Sequence, residues 1–214
     1  ARTDQTVWRF ERGKAGRVVA TIPEPPVGLA SDSEPLWVLT WTGGNSSGGR
    51  VYKVNPNDGD LASSENLGAW PEALTASRGK VFVAHVRGGK VSVVDQVTLA
   101  IDTIRLPGAS LWAITGNDRM VYAAGRIDED NTKGVALAID PQSNREVARV
   151  EVNQRIAAIA ADEKTVVFVG ENGAIWSASP TTLELTGVGR LEAGPFRPSS
   201  ILIEGNRLIV VAQQ

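Results

Sequence analysis

The chain repeats one pattern five times. One copy, VFVAHVRGGKVSVVD at residues 81–95, is an apolar run, a Gly-Gly break, a second apolar run and an acidic residue. Similar segments occupy residues 35–55, 119–140 and 165–179, and a split copy joins residues 207–214 to residues 2–11. The copies end every 39 to 46 residues. A repeat of this length restricts the chain to an architecture of similar units packed side by side.

Each unit predicts four β-strands. Apolar residues alternate over short stretches between turn signals, and no segment keeps a helical period over three turns. A short polar residue that suits the start of a turn ends each copy. These capping residues are Asn55, Asp95, Asp140, Ser179 and Glu11. Four strands in a repeat of about 40–45 residues are typical of a β-propeller blade. We therefore predict an all-β fold, a five-bladed β-propeller of four-stranded antiparallel blades.

The phase of the repeat predicts how the ring closes. The sequence begins at the third strand of a blade and ends at the second strand of one. We expect the two ends to share one blade, because unpaired sheet edges are a liability. The predicted single domain, 1–214, has blades at about 26–68, 69–108, 109–152, 153–194, and 195–214 together with 1–25. A truncated propeller of six to eight blades is the alternative.

A column of small residues favours a narrow ring. It stands near the start of each predicted inner strand, where the strands crowd the axis and a bulky side chain would separate the blades. Its members are Gly28, Ala73, Ala113, Ala158 and Ser200.

Composition excludes several classes of protein. A net charge of -2 and a pI near 5.6 argue against a nucleic-acid binder. No stretch approaches the roughly 18 apolar residues of a membrane span. With no cysteine and one histidine, the chain lacks the usual ligands for a transition metal. We expect no metal, no cofactor and a monomer. The start at Ala1, without a signal sequence, indicates a processed protein or an excised domain.

The segment VFVAHVRGGKVSVVDQVTLAIDTIRLPG, residues 81–108, resembles a YVTN-type propeller repeat, in which a VYVTN-like strand leads to VSVID and then to an ATIPVG-like strand. VWRFERGKAGRVVATIPE and VALAIDPQSNREVARVEV are similar to the second half of that repeat. The chain departs from the family where an Asn is usual, at Thr40, His85, Gly125, Gly170 and Ala212. The resemblance implies an extracytoplasmic domain (secreted, periplasmic or an ectodomain), often within a larger protein. It identifies no reaction.

The candidate binding residues lie in the loops between second and third strands and in the connections between blades. These segments share the face at which propellers usually bind. Trp and Arg, the residues most enriched at binding hot spots, are frequent there. We predict ligand binding by Trp41, Trp70, Arg87, Trp112, Arg155, Phe196 and Arg197. The alternative is that the tryptophans cover the blades as additional core.

Two arginines suggest the charge of the ligand. Arg155 and Arg197 occupy equivalent positions in consecutive blades, with Phe196 as an apolar neighbour. Guanidinium groups bind carboxylates in a bidentate manner. We expect an anionic ligand such as an acidic peptide or a uronic-acid glycan, unless the arginines pair with neighbouring acids such as Glu192.

Two functions remain open. One is a non-catalytic module, a sensor or adhesion domain that binds a protein, peptide or glycan. The other is a lyase or hydrolase with His85 as general base and Glu72 beside it. A loop histidine with a satisfied hydrogen bond is the structural alternative. The predicted channel-mouth positions, Val27, Glu72, Trp112, Ala157 and Ser199, hold one acid, whereas glycosidases need a carboxyl pair.

Overall fold

Antiparallel β-sheet forms the whole framework of the chain. A computed structural model describes residues 5–32, 34–43, 48–191, 197–205 and 207–213, and none of these residues is helical. Four successive four-stranded sheets, here called blades one to four, follow the chain order. The all-β prediction is confirmed.

The strands of each blade pair in simple sequence order, from first to fourth. Blade one contains β3 (Pro26–Ala30), β4 (Leu36–Thr40), β5 (Val51–Val54) and β6 (Leu61–Ser63). Blade two contains β7 (Pro71–Ser77), β8 (Lys80–His85), β9 (Lys90–Asp95) and β10 (Ile101–Arg105). Blade three contains β11 (Ala109–Gly116), β12 (Val121–Ile127), β13 (Gly134–Asp140) and β14 (Arg145–Val152). Blade four contains β15 (Ile156–Ala161), β16 (Val166–Gly170), β17 (Ala174–Ala178) and β18 (Leu185–Arg190).

The two ends of the chain form separate hairpins. β1 (Thr6–Arg9) pairs with β2 (Arg17–Thr21), and β19 (Arg197–Glu204) pairs with β20 (Arg207–Gln213). The first hairpin packs its Val7 and Ala20 on blade one, whereas β19 packs beside β15 of blade four. Each hairpin is held by its local partner and by the blade next to it in the chain. Within the described strands, the expected fifth blade is therefore not assembled as one sheet, and five blades are not established.

The core lies between successive sheets. One apolar cluster fills each of the three junctions between blades, and two further clusters seat the terminal hairpins. Between blades two and three, for example, Phe82 and Val91 pack with Leu111 and Val135, and all four are fully or almost fully buried. Burial between sheets, rather than under one layer, explains why the second and third strands are apolar on both faces.

The turn after each third strand receives a hydrogen bond from the preceding unit. The guanidinium of Arg17 donates to Pro56 O (3.3 Å). The ammonium of Lys53 donates to Gln96 O (3.0 Å) and that of Lys80 to Pro141 O (2.7 Å). Tyr122 Oη donates to Pro180 O (2.7 Å). Each acceptor directly follows a capping residue of the repeat, so this turn fastens one unit to the next at four consecutive junctions.

Every first strand carries a β-bulge at the same point. The register shifts at Pro26/Gly28, Pro71/Ala73, Leu111/Ala113, Ile156/Ala158 and Pro198/Ser200. The extra residues are Val27, Glu72, Trp112, Ala157 and Ser199, the positions expected to surround the channel mouth. A bulge leaves one residue unpaired and redirects its side chain. The small-residue column follows the bulge directly, and a Cβ added at Gly28 would lie 2.6 Å from the Cδ2 of Leu74 in the next blade.

Candidate functional site

The second-to-third-strand loops and the connections between blades meet at one end of the sheets, here called the loop face. A backbone hydrogen bond joins them in each of the four blades. In blade three the amide of Asp128 donates to Gly108 O (2.9 Å). The amide of Trp41 donates to Pro25 O (3.1 Å), that of Val86 to Trp70 O (3.0 Å) and that of Glu171 to Arg155 O (3.1 Å). Three of the residues predicted for ligand binding, Trp41, Trp70 and Arg155, therefore lie on a backbone framework fixed by hydrogen bonds.

Three of the residues predicted for ligand binding, Trp41, Trp70 and Arg87, lie in contact in a group here called the aromatic cluster. The rings of Trp41 and Trp70 have centroids 4.9 Å apart and planes inclined by 47°. The guanidinium carbon of Arg87 lies 4.5 Å from the Trp70 ring centroid. Both indoles are half-buried and Arg87 is exposed. A cation at this distance over an indole is attracted by the negative face of the ring. The aromatic cluster joins blade one, the connection to blade two, and the β8–β9 loop.

The backbone of Trp70 is strained. Its φ of 62° lies in the left-handed region, which bulky residues rarely occupy. Residues kept in such conformations concentrate at ligand-binding and active sites, where the surrounding structure compensates the cost. The indole Nε1 of Trp41 is buried and has no hydrogen-bond partner among the described residues. The strained backbone and the unpaired indole NH both cost stability, so neither is explained by packing within the fold.

Trp112 contacts a neighbouring blade instead. Its indole is half-buried, and Nε1 donates to Ile156 O (2.8 Å). This bond fastens blade three to blade four. Trp112 therefore packs as the alternative expected from the sequence, a tryptophan that covers the blades as additional core.

His85 lies inside blade two. The residue has no exposed surface, its Nδ1 lies 3.0 Å from Ala69 O and its Nε2 lies 2.9 Å from Ser92 Oγ. Nδ1 must carry the proton to donate to a carbonyl, so Nε2 accepts from the Ser92 hydroxyl. Burial lowers the pKa of His85 to about 4, against the opposing effect of the hydrogen bond to Ala69. Both nitrogens are occupied within the protein, and neither faces the loop surface. Glu72 is exposed at its bulge.

Thr40, in the same repeat column as His85, makes equivalent contacts in blade one. It is fully buried, its hydroxyl donates to Glu24 Oε2 (2.6 Å), and it accepts from the amide of Arg50 (3.2 Å). Arg50 also pairs with Glu24 at 3.6 Å. In both blades the column residue joins the end of the second strand to the third strand and to the incoming connection. This structural role, which sequence reasoning missed, accounts for a buried histidine without invoking catalysis.

Arg155 is paired with an acid. Its Nη1 lies 3.8 Å from Glu171 Oε2, and its Nε donates to Asn131 O. Among the described residues its acidic partner is Glu171. Phe196, Glu192 and the side chain of Arg197 lie outside the described part of the chain, so the convergence of Arg155 with Arg197 stays a prediction.

A polar cleft lies beside Arg155. It has a volume of about 390 Å³ and is lined by Asn131, Thr132, Gln154, Arg155, Glu171 and Asn172. Apart from Arg155, sequence reasoning did not single out these residues. The available signal was the concentration of carboxamides in the loop and connection segments of two consecutive blades.

Two observations concern metals and membranes. Within the described residues, no three acidic or histidine side chains are grouped so that they could hold a metal ion. No described segment forms a helix with the length and apolar character needed to cross a membrane.

No protein-family model and no curated protein sequence matches this chain. Solved structures do match. A chain in the crystal structure of a nidogen/laminin complex has a TM-score of 0.68 at 14% identity, covering 98% of this chain and 83% of its own length. The computationally designed Ika8 protein gives 0.67 at 15%, covering 99% and 76%. The designed Ika4 protein gives 0.58 at 17%, covering 70% and 89%. At these identities the likeness concerns the fold alone, and it shows that this chain has a propeller-like all-β fold.

Proposed function

We propose that this chain is a non-catalytic binding module that presents its loop face to a protein, peptide or glycan. The observation that carries the proposal is the aromatic cluster. Trp41, Trp70 and Arg87 come from separate segments and reach the surface around a strained backbone position. The tilted Trp41 and Trp70 rings are in contact, and the Arg87 guanidinium lies over the Trp70 ring. Trp and Arg in such partly buried arrangements commonly supply most of the binding energy of an interface.

The cluster also supports an anionic ligand. Arg87 is exposed and has no acidic partner among the described residues. Its guanidinium is orientated by the Trp70 ring, which lowers the entropic cost of binding a carboxylate. We therefore favour acidic peptides and uronic-acid glycans as ligands of the cluster.

The enzyme alternative has less support. A general base must reach the proton that it removes, at about 2.6–3.2 Å or through one water. The ring of His85 is fully buried and both of its nitrogens are engaged by Ala69 and Ser92.

Two features of the wider context belong to the same proposal. The matching chain from the nidogen/laminin complex was crystallised as part of a protein complex, which supports a protein ligand for a domain of this shape. The likeness of residues 81–108 to YVTN-type repeats supports an extracytoplasmic location, as a sensor or adhesion domain. The sequence of a longer gene product, with its flanking segments, would test the location.

The binding proposal is tested on glycan and peptide arrays. We expect hits enriched in acidic ligands, and we expect Trp70→Ala and Arg87→Ala each to weaken them at least tenfold. Arg105→Ala, which removes an exposed arginine from the outer strand β10, is the matched control and should leave the hits unchanged. If both cluster variants kept every hit, the ligand would bind elsewhere and the cluster would not be the site.

We also propose that the terminal hairpins join into a fifth blade, with β20 beside β1. Apolar side chains of both hairpins are exposed at positions that are buried in the four complete blades. Val211 is 56% exposed, whereas its equivalents Leu39, Ala84, Ala124 and Val169 are 0% exposed. Phe10 is 75% exposed, whereas Val54, Val94, Ile139 and Ala178 are at most 1% exposed. Pairing of the hairpins would bury these apolar side chains and would give the backbone groups at the edges of β20 and β1 hydrogen-bond partners.

The other blades fix the register that this pairing would have. In each of them the residue before the cap pairs with the residue four positions before the column of His85, as in Val94↔Val81 and Ile139↔Val121. The same rule pairs Phe10 with Leu208 and hence Arg9 with Ile209. Because the chain has no cysteine, an Arg9→Cys, Ile209→Cys double variant reports this contact directly. Directly opposite residues of an antiparallel pair lie within disulfide range.

We expect the double variant to form an intrachain disulfide, detected by non-reducing electrophoresis and peptide mass mapping. A shifted pair, Arg9→Cys with Val210→Cys, should not form it, because a shift of one residue points the side chains to opposite faces. A disulfide only between two molecules would mean that a second copy covers the edge. Either that result or the absence of any disulfide would overturn intramolecular closure.

A further inference from the structure

We propose that the polar cleft between blades three and four is a separate site for an uncharged, hydroxyl-rich saccharide. The inference rests on the proposed function because the cleft opens at the loop face. It uses residues that do not belong to the aromatic cluster. Its volume of about 390 Å³ lies within the usual range for small-ligand sites, about 300–1,000 Å³.

The cleft is built from three segments. The β12–β13 loop supplies Asn131 and Thr132, the connection from β14 to β15 supplies Gln154 and Arg155, and the turn after β16 supplies Glu171 and Asn172. Three hydrogen bonds join these segments. Arg155 Nε donates to Asn131 O, the amide of Glu171 donates to Arg155 O (3.1 Å), and the amide of Asn172 donates to Gln154 Oε1 (3.4 Å). The walls are therefore connected without any ligand.

Two glycines allow Gln154 to line the cleft. A Cβ at Gly170 would lie 2.5 Å from the side-chain Cδ of Gln154, and a Cβ at Gly134 would lie 2.2 Å from its carbonyl oxygen. A Cβ at Gly134 would displace the backbone of the connection, and a Cβ at Gly170 would displace the Gln154 side chain from the cleft. In blade two the same column holds His85, whose side chain occupies the corresponding space.

The charge of the cleft is balanced. Glu171 and Arg155 lie 3.8 Å apart, and the other lining residues are neutral. An anionic ligand would meet the Glu171 carboxylate, and a cationic ligand would meet the Arg155 guanidinium. A neutral ligand avoids both repulsions and can hydrogen-bond to both groups.

The lining chemistry favours hydroxyl groups over peptide side chains. All six lining residues carry a polar group at the end of the side chain. The side-chain NH₂ groups of Asn131, Gln154 and Asn172 have no hydrogen-bond partner within the described residues. Each carboxamide carries donors and an acceptor, as does each sugar hydroxyl. Saccharide hydroxyls can therefore form the hydrogen bonds that these carboxamides would otherwise form with solvent. A less polar group cannot form them.

The test is titration calorimetry, with saturation-transfer NMR for weak binding. The probes are neutral mono- and disaccharides, the matching uronic acids, and an acidic peptide. We expect a neutral saccharide to bind more tightly than its uronic acid, and Asn131→Ala with Gln154→Ala to weaken that binding at least tenfold. Gln142→Ala, an exposed residue in the turn after β13, is the control and should bind as the unaltered protein does.

Two comparisons separate this site from the aromatic cluster and from misfolding. Trp70→Ala should leave saccharide binding unchanged while it removes the acidic ligands of the loop face. The single variant Asn131→Ala, in an exposed loop, should keep the melting temperature of the unaltered protein and still weaken the saccharide. The inference is overturned if no neutral saccharide binds, if the uronic acid binds more tightly, or if the cleft variants bind with unchanged affinity.

Discussion

At the scale of the residue, His85 gives the fold a pH dependence of its own. Its pKa in the folded protein is about 4 because burial disfavours the charged ring, whereas the ordinary value is 6.5. Between these values the unfolded chain binds a proton that the folded chain does not. His85 therefore contributes full stability above about pH 6.5 and loses it as the pH falls towards 4. We expect the free energy of unfolding to fall by up to about 1.4 kcal/mol per pH unit in this window.

The measurement is urea unfolding between pH 4.5 and 7.5, with His85→Gln as the comparison. The variant keeps a polar side chain but lacks the titration, so its slope should be smaller whatever its absolute stability. Hydrogen bonds from Thr98 and Thr132 hold the pKa values of the Asp95 and Asp130 carboxyls below their ordinary value, and both groups are present in each of the two proteins compared. Equal slopes for the two proteins would contradict the assignment.

The residue types of the site could be predicted, but their contacts could not. Trp41, Trp70 and Arg87 were placed on one face from the repeat alone. Trp70, which contacts both other residues, has a left-handed backbone, and no local sequence signal dictates that conformation for a tryptophan. The role of the His85 column was also hidden, since Gly125, Gly170 and Ala212 have no polar side chain to reveal it. Only Thr40 and His85 of the five residues in this column are polar, so the sequence gives no sign of a shared role. Their equivalent hydrogen bonds show that role.

At the scale of the element, the bulge of each first strand explains the small column. The sequence showed the small residues and predicted crowding near the axis. It could not show the bulge, because one extra residue in a strand resembles ordinary variation in strand length. The bulge directs Val27, Glu72, Trp112 and Ala157 away from the regular pairing, and the next residue then packs against the adjacent first strand. The polar cleft escaped prediction for a similar reason, since it depends on how closely Gln154 crosses Gly170.

A substitution in this column tests the packing. Ala158 is 3% exposed and packs with Ile201 of the next strand hairpin. We expect Ala158→Leu to cost roughly 1–3 kcal/mol, as overpacking a tight site usually does. Ala62→Leu on the exposed outer strand β6 makes the same chemical change without confinement and should alter stability by less than about 0.5 kcal/mol. Thermal and urea unfolding of both variants measure the difference, and similar small effects would mean that the first strands are not tightly packed.

At the scale of the whole molecule, repetition made the sheets predictable and left closure undetermined. Each complete blade pairs neighbouring strands in chain order, so short-range patterns in the sequence suffice to define it. Contact between β20 and β1 would instead join opposite ends of the chain, and no local pattern specifies such a pairing. The apolar residues of the hairpins favour this contact, because their equivalents in the complete blades are buried.

Closure can be tested by the stability that those residues provide. Val211 is 56% exposed on the separate hairpin, and Val188 is 73% exposed on the outer strand β18, which stays outermost in an open or a closed ring. If β1 covers β20, Val211→Ala removes buried methyl groups and leaves a cavity, for a loss of about 2 kcal/mol. Val188→Ala should cost less than about 0.5 kcal/mol in either case. We expect this difference in urea unfolding of the two variants. If both valines proved equally dispensable, the two hairpins would remain apart in solution, and the sheet edges that they expose would be free for another strand.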